Sequence, residues 1–319
     1  MIGFCLAAGG GTRLLPLTRA TPKPLLAPAG RPLVDLAVEA LQAAGATRVV
    51  VNAHHGAELL AARLAGRPHI EVLVEPTLLG TGGGLVTAAH LGRLGRGDDL
   101  VLVTAADHLL TPGDLTALAG SLDRTGAPMA AGLVPGPSSF PLRLDGTRLA
   151  RDPAGRWDSA GAYAVRAGLL CELEPGPASL AGRVLGPLLD RGELAGLPFR
   201  GPVADAGTLE RLLRVSAGLL AGRWPYALPP GQFRRDAWGR PVLVVEGARA
   251  HPAAVLAGPL VLDAGSRVGA GAVVTRSVVG PGAAVGPGAR VTGSFLGPGA
   301  SVAPGEEAAA ALIPAPEVR

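Results

Sequence analysis

Lysine is almost missing from this chain of 319 residues: of its 29 basic side chains, Lys23 is the only lysine and the rest are arginine. Aromatic residues make up 3%, which leaves little for nucleic-acid bases to stack on. The isoelectric point is near 9.8, yet the net charge is only +4 and the arginines are scattered. The basic balance therefore reflects arginine bias, and no nucleic-acid partner is expected. Cysteine occurs twice, at Cys5 and Cys171, far apart in apolar runs. That excludes a disulfide framework and a zinc spacing, and implies buried free thiols in a reducing compartment. No run reaches the ~20 apolar residues of a membrane span, and the first apolar stretch breaks at Gly9. A cytoplasmic protein with no membrane partner is the expectation.

Glycine and proline, by contrast, are abundant, at 48 and 30 residues. Over the first two-thirds, strand-like and helix-like runs alternate. MIGFCLA, PLVDLAVEALQAAG (32–45), RVVVNA (48–53), GAELLAARLAG, IEVLVE, GGLVTAAHLGRL, LVLVTAAD and PGDLTALAGSL follow one another. This order predicts an α/β domain, a doubly wound, mostly parallel sheet in the Rossmann-like manner, over residues 1–222. In such sheets ligands bind beyond the carboxyl ends of the strands.

From 223 to 250 no period is evident, which reads as a linker. Over 251–305 apolar residues recur near every sixth position: Val268, Val274, Val279, Val285, Val291, Leu296 and Val302. A six-residue period fits neither a helix nor a hairpin, and it resembles the hexapeptide repeat of left-handed parallel β-helices. About 55 residues make roughly three coils of such a helix. The steps shorten to five at the SVVG and SFLG corners, and residues 306–319 read as a short helix or frayed tail.

The first strand ends in LAAGGGTRL, and the segment continues to TPKPLL. Glycines let backbone N–H groups approach an anion without an intervening side chain. The pattern matches neither G-x-x-x-x-G-K-[ST] nor G-x-G-x-x-G. Arginine clamps phosphate through a planar fork, whereas lysine offers a compact point charge. A chain that uses arginine elsewhere but lysine at 23, between Pro22 and Pro24, implies a place where the fork does not fit. Asp107 ends a buried strand and Asp205 precedes a glycine turn and helix; each alone also reads as a turn or cap residue. His54 and His55 lack metal-ligand spacing and read as exposed or locally satisfied.

LAAGGGTRLLPLT followed by PKPLL resembles the signature of the sugar-1-phosphate nucleotidyltransferases. VVVNAHH, EPTLLGTGGGL, Asp107, SAGAYAV and DAGTLERL follow in that family's order, and several members carry a C-terminal left-handed β-helix. The resemblance implies transfer of a nucleotidyl group from an NTP to a sugar 1-phosphate, with Mg²⁺ on Asp107 and Asp205. It implies Arg13, Lys23 and Asp107 as catalytic residues. It assigns nucleotide binding to Leu6, Ala7, Ala8, Gly9, Gly10, Gly11, Thr12, Arg13, Lys23, Gly80, Thr81 and Gly83. LGTGGGL is closest to the L-G-T-A-G of mannose-1-phosphate guanylyltransferases, which implies GTP as donor. Gly161 is implied at the sugar.

Two departures stand out. The asparagine-glycine before the strand-end aspartate is Ala105-Ala106, and the E-K-P whose lysine meets the sugar phosphate is replaced by Arg151-Asp152-Pro153. Arg151 or Arg156 is the candidate replacement. Uridylyl or thymidylyl transfer to another sugar phosphate, or an inactive regulatory paralogue that holds a nucleotide sugar, are the alternatives. The β-helix offers a surface for a homo-oligomer.

Overall fold

The computed structural model describes residues 1–136 and 141–315. In chain order the first elements are β1 (Ile2–Leu6), α1 (Leu17–Ala20), α2 (Leu33–Ala43), β2 (Arg48–Ala53), α3 (Ala57–Leu64) and β3 (Ile70–Val74). Next come α4 (Gly80–His90), β4 (Leu100–Ala105), β5 (His108–Leu109), α5 (Pro112–Ala119) and α6 (Ser121–Thr125). Then follow β6 (Met129–Pro135), β7 (Leu142–Asp145), β8 (Arg148–Arg151), β9 (Trp157–Arg166), α7 (Ala167–Cys171), α8 (Gly186–Asp190), β10 (Leu194–Pro198), β11 (Ala204–Asp205) and α9 (Leu209–Leu220). The chain forms two compact units, one of residues 1–9 and 37–203, the other of 10–36 and 204–319. Among the described residues no helix is long and apolar enough to cross a membrane.

The first unit is built on a nine-stranded sheet in the order β3-β2-β1-β4-β9-β6-β10-β8-β7. Strands β3, β2, β1 and β4 run parallel, with Phe4 opposite both Val50 and Val103. Their apolar runs lack polar alternation because both faces are covered. The second half is mixed: β9 is antiparallel to both β4 and β6, while β10 returns parallel to β6. Phe4, Val50, Val101, Val103, Leu85, Val165 and Leu188 belong to one buried core. Cys5 is buried with them, but Cys171 is exposed, against the expectation for both thiols. Cys171 ends α7, whose buried residues are Ala167 and Leu170, so it falls on the other side of the helix.

The glycine run after Glu75 is helical rather than a loop, since α4 begins at Gly80. Added Cβ atoms there would meet backbone: Gly80 at 2.7 Å from the Ala178 oxygen, Gly82 at 2.5 Å from that of Ser179, and Gly83 at 2.4 Å from that of Gly176. The N–H groups of Gly82 and Gly83 both donate to the Ala178 carbonyl at 3.0 Å. Backbone thus packs directly on helix, a contact that only residues without Cβ permit.

In the second unit, parallel strands stack in three ladders, consistent with a left-handed β-helix. The first ladder is β13 (Pro241–Val245), β16 (Leu260–Leu262), β19 (Val278–Val279), β22 (Phe295–Leu296) and β25 (Leu312–Ile313), with β12 (Gly231–Arg235) antiparallel on β13. The second is β14 (Arg249–Ala250), β17 (Arg267–Val268), β20 (Ala284–Val285) and β23 (Ser301–Val302). The third is β15 (Val255–Ala257), β18 (Val273–Thr275), β21 (Arg290–Thr292) and β24 (Glu307–Ala309). Val268, Val274, Val279, Val285, Val291, Leu296 and Val302 all enter its buried core, as their spacing predicts.

Strands therefore occupy both flanks of the repeat. Residues 223–250 contain β12, β13 and β14, and 306–313 contain β24 and β25. β12 is exposed throughout, so it carries no alternation to read. The alanine run 308–311 has helical propensity, but pairing of Val291 with Ala308 and Leu296 with Ile313 extends the stack. Residues 316–319 of the expected tail lie outside the described residues.

The shortened corners have a specific chemistry. Thr275 and Thr292, 17 residues apart, stand one above the other with hydroxyls at 3.2 Å. Next in each coil comes a left-handed residue: Arg276, Gly293 and Ala310, with φ of 49°, 57° and 48°. The serine that follows is fully buried and spans two coils: Ser277 Oγ donates to Thr275 O and accepts from Ser294 N–H. The six-residue corners instead use Pro-Gly, as at Gly280-Pro281-Gly282-Ala283, where Ala283 N–H donates to Gly280 O at 3.1 Å. Proline at the second and glycine at the third position suit that turn.

Residues 10–36 belong with this unit. A Cβ on Gly297 would lie 2.8 Å from Leu17 Cδ1, and one on Gly30 2.7 Å from Pro229 and 3.2 Å from Val245. Arg31 donates to Ala227 O at 3.0 Å. Nearby, Asp263 is 4% exposed and Ser266 fully buried. Asp263 Oδ1 accepts from Ala264 N–H at 2.7 Å, but Asp263 Oδ2 and Ser266 Oγ have no hydrogen-bond partner among the described residues. Burial raises the Asp263 carboxyl above the ordinary range, and the Ala264 bond only partly offsets this.

A raised native carboxyl binds its proton more tightly folded than unfolded, so stability falls as pH climbs from the unfolded value. The penalty is absent below about pH 4 and complete once pH passes the raised native value. Asp263→Asn is expected to be more stable than wild type at pH 7 and to lose that advantage near pH 4, read from urea unfolding at several pH values. Gly82→Ala has to push backbone aside and should cost about 1–3 kcal/mol, measured by the same unfolding.

Candidate active site

The first unit carries two groups of polar residues at strand ends. Leu6 ends β1, and its carbonyl accepts from Ala106 N–H at 2.9 Å. Ala7 and Ala8 are buried, while Gly9 and the residue that follows it in sequence, Gly10 of the second unit, are exposed. A Cβ on Gly9 would meet nothing within 4 Å, and one on Gly10 only Thr12 Cγ2 at 4.0 Å. These two glycines are thus not demanded by internal packing. Bare exposed backbone of this kind is what a phosphate cradle needs.

Beyond β4, Asp107 is half-buried and accepts from His108 Nδ1 at 3.0 Å. The His108 ring lies against Gly161, where a Cβ would stand 2.5 Å from ring carbon Cδ2; Gly161 takes φ of 72°. Ser159 Oγ bonds the Tyr163 hydroxyl at 2.8 Å and accepts from Gly161 N–H at 3.1 Å. Burial raises the Tyr163 phenol, and the Ser159 bond counters part of this. Burial, with a contribution from the Asp107 charge, pushes the Cys5 thiol up to about 12. Asp107 and Gly161 are thus brought together through His108, which no sequence pattern had marked.

Thr81, expected at the nucleotide, accepts from Leu180 N–H through its hydroxyl at 2.9 Å. With Gly80 and Gly83 it serves the packing of α4 on residues 176–180. Behind this helix start lies a buried polar chain. Asn52 accepts from Ala7 N–H at 2.7 Å and donates to Glu75 at 2.6 Å, and Glu75 accepts from Leu79 N–H at 3.1 Å. His54 is satisfied by the Glu75 carbonyl at 2.9 Å, and His55 is exposed.

Arg151 is not brought to this group. It lies on β8, which does not neighbour β4, and its guanidinium is 3.3 Å from Asp190. Arg156 is exposed.

In the second unit the signature segment folds onto itself. Gly11 has φ of 63°, and a Cβ there would lie 2.9 Å from Thr18 Cγ2 and 3.1 Å from Lys23 Cβ. Thr18 donates to Gly11 O at 2.9 Å, and a turn over Thr12–Leu14 follows, with Leu14 N–H on the same carbonyl. Lys23 is half-buried between the buried Pro22 and Pro24. The root of its side chain is therefore confined. Arg13 and Asp205 both crowd Gly207, where a Cβ would be 2.7 Å from Arg13 Nη2 and from Asp205 Oδ1. Asp205 accepts from Gly207 N–H at 2.9 Å and pairs with Arg211 at 2.6 Å. Thr208 caps α9 through the Arg211 N–H. Arg211 was silent in the sequence because its partner is defined by the turn that α9 follows.

Among the described residues no group of three or more His, Cys, Asp or Glu is placed to hold a metal by itself.

Residues 2–139 match the family model described as nucleotidyl transferase. A mannose-1-phosphate guanylyltransferase of Mycobacterium tuberculosis is 29% identical over 292 residues, covering 86% of this chain and 78% of that protein. A mannose-1-phosphate guanyltransferase of Aspergillus fumigatus is 28% identical over 65% of this chain, which spans 61% of that relative's length. An N-acetylmuramate alpha-1-phosphate uridylyltransferase of Caulobacter vibrioides is 42% identical over 103 residues, 30% of this chain and 42% of that protein. A crystal structure described as a glucose-1-phosphate thymidylyltransferase from Bacillus anthracis aligns with a TM-score of 0.60 at 20% identity, over 68% of this chain and 94% of that one. Residues 2–139 thus match the nucleotidyl transferase family, and over most of its length the chain is similar to sugar-1-phosphate nucleotidyltransferases.

Proposed function

We propose that the chain is a mannose-1-phosphate guanylyltransferase, converting GTP and mannose 1-phosphate to GDP-mannose and pyrophosphate. The observation that carries this reading is the alignment to the M. tuberculosis guanylyltransferase over 86% of the chain. An oxygen of the sugar 1-phosphate attacks the α-phosphorus, the bond to the α,β-bridging oxygen breaks, and pyrophosphate leaves with the electron pair. Little covalent chemistry is asked of the protein, which must position the reactants and neutralise charge.

Gly9 and Gly10 receive the phosphates on bare backbone. Arg13 and Lys23 neutralise the triphosphate and the leaving pyrophosphate, one as a fork and the other as a point charge. Gly161, kept clear of a Cβ, faces the sugar. Asp107 and Asp205 each offer carboxylate oxygens, the hard donors that Mg²⁺ takes, and oxygens already bonded to His108, Gly207 and Arg211 keep further lone pairs. When bound, the ion supplies charge neutralisation on the phosphoryl oxygens. Arg151, held on Asp190, is left out of the sugar-phosphate role.

A uridylyltransferase acting on an amino-sugar acid 1-phosphate is the second reading, favoured by the 42% identity of one segment to the Caulobacter vibrioides relative. Pyrophosphate release measured with Mg²⁺, the common NTPs and a panel of sugar 1-phosphates separates the two. The first reading expects GTP with mannose 1-phosphate to exceed every other pair. UTP with an amino-sugar acid phosphate in the lead would replace it, and no release with any pair would leave a binding protein.

Lys23→Arg, which keeps the charge but not the compact head, should lower kcat/KM about 100-fold while leaving the melting temperature unchanged. Asp107→Asn should lose about 10–100-fold and require more Mg²⁺. Arg151→Ala should leave the KM for the sugar phosphate unchanged, and a large rise would restore Arg151 to the site.

A further inference from the structure

Asn52 and Glu75 are 2% and 3% exposed. Their hydrogen bonds converge on Glu75 from both ends. Ala7 N–H donates to Asn52 Oδ1 at 2.7 Å, Asn52 Nδ2 donates to Glu75 Oε1 at 2.6 Å, and Leu79 N–H donates to Glu75 Oε2 at 3.1 Å. The Ala7 donor fixes which way the Asn52 amide points, so its NH₂ must face position 75. Glu75 then has to accept from two donors at once. A carboxylate does this with both oxygens, whereas an amide has only one acceptor oxygen. Among the described residues no cation pairs with Glu75; it is held by neutral donors alone. Helix α4 closes over the pair, since a Cβ on Gly84 would be 2.3 Å from Glu75 Oε1 and 2.7 Å from Asn52 Nδ2.

The two ends of this chain of bonds are informative. Ala7 is separated from the bare Gly9 only by the buried Ala8, and Leu79 directly precedes α4. Ala7 and Gly9 on one side, and Gly80 and Thr81 on the other, are residues that the family resemblance assigns to the nucleotide, and a buried polar link ties the two segments together. We propose that Asn52 and Glu75 are positioning residues for the nucleoside triphosphate. They hold the backbone at 7–9 and the start of α4 at a set separation, and the matching of every donor to an acceptor does this rather than the location of the charge. The inference rests on the proposed nucleotidyl transfer.

Polarity can be tested by exchange. Glu75→Gln leaves two donors facing one acceptor, and Asn52→Asp sets two carboxylates against each other. The double variant N52D/E75Q again gives every donor an acceptor: Ala7 N–H donates to the carboxylate now at 52, the amide now at 75 donates to that same carboxylate so that the middle bond runs the other way, and Leu79 N–H donates to the amide oxygen at 75. It also moves the charge from position 75 to position 52. Steady-state pyrophosphate release would be measured with wild type, both single variants and the double, varying GTP and mannose 1-phosphate in turn, alongside melting temperatures.

Each single variant is expected to raise the KM for GTP about tenfold or more with the KM for mannose 1-phosphate nearly unchanged, and the double to return close to wild type. Single variants that only melt earlier, with both KM values intact, would overturn the proposal. So would a double variant no better than the singles. Should neither single fold, the double decides alone: a near-native KM for GTP supports the proposal, and a raised KM or failure to fold overturns it. If the wild type releases no pyrophosphate, the functional reading fails separately. Calorimetric titration of the same four proteins with Mg²⁺ and GTP then reads the positioning role directly: the same pattern of weakened and restored affinity supports it, and its absence overturns it.

Discussion

Close approach of backbone to helix α4 is the constraint on which the catalytic unit depends. Gly80, Gly82 and Gly83 let residues 176–180 lie directly on the helix, and Gly84 lets it cover the Asn52–Glu75 pair. A single methyl group at Gly80, Gly82 or Gly83 would meet backbone rather than a movable side-chain tip, and one at Gly84 would meet the hydrogen-bonded ends of Glu75 and Asn52. The helix therefore has one place to sit, and the loop before it inherits that place through Leu79. Rigidity of this kind is what a reaction driven by positioning requires.

The second unit solves a different problem with equally local means. The coils that contain Ser277 and Ser294 each turn three corners, two with glycine in a left-handed conformation and one with a left-handed residue followed by a buried serine. Serine is suited to the tighter corner because its hydroxyl can donate to its own coil and accept from the next one. Ser277 and Ser294 do this in successive coils. The signature segment 10–36 belongs with this unit, through Leu17 at Gly297 and Gly30 at Pro229 and Val245. Arg13 and Lys23 are thus supported from the same body that contains the repeat, which gives the β-helix a part in holding the cationic residues.

Strands and helices of the first unit were legible because each is a strong local pattern: unbroken apolar runs for β1, β2 and β4, helical spacing for α2. The valine period of the β-helix was legible for the same reason. Its flanks were not. β12 is wholly exposed and shows no alternation, and the alanines of β24 are good helix formers that pairing with the coil below keeps extended. The antiparallel placement of β9 likewise leaves no local trace, since it is decided by which neighbours the strand finds.

For the site, the sequence by itself determined the residue types and their order: a glycine run, an arginine and a single lysine between prolines, an aspartate after a buried strand, and another before a capped helix. Chemistry of that kind is written in identity and spacing. Only the tertiary structure decided the partners. Asn52 and Glu75 lie 23 residues apart, His108 and Gly161 on different strands, and Arg211 finds Asp205 across a turn. It also decided that backbone packs against the glycines of α4, that Thr81 accepts from Leu180 N–H, and that Arg151 stands on Asp190. The reason is physical: a buried hydrogen bond or a missing Cβ acquires its meaning from whatever the fold brings against it.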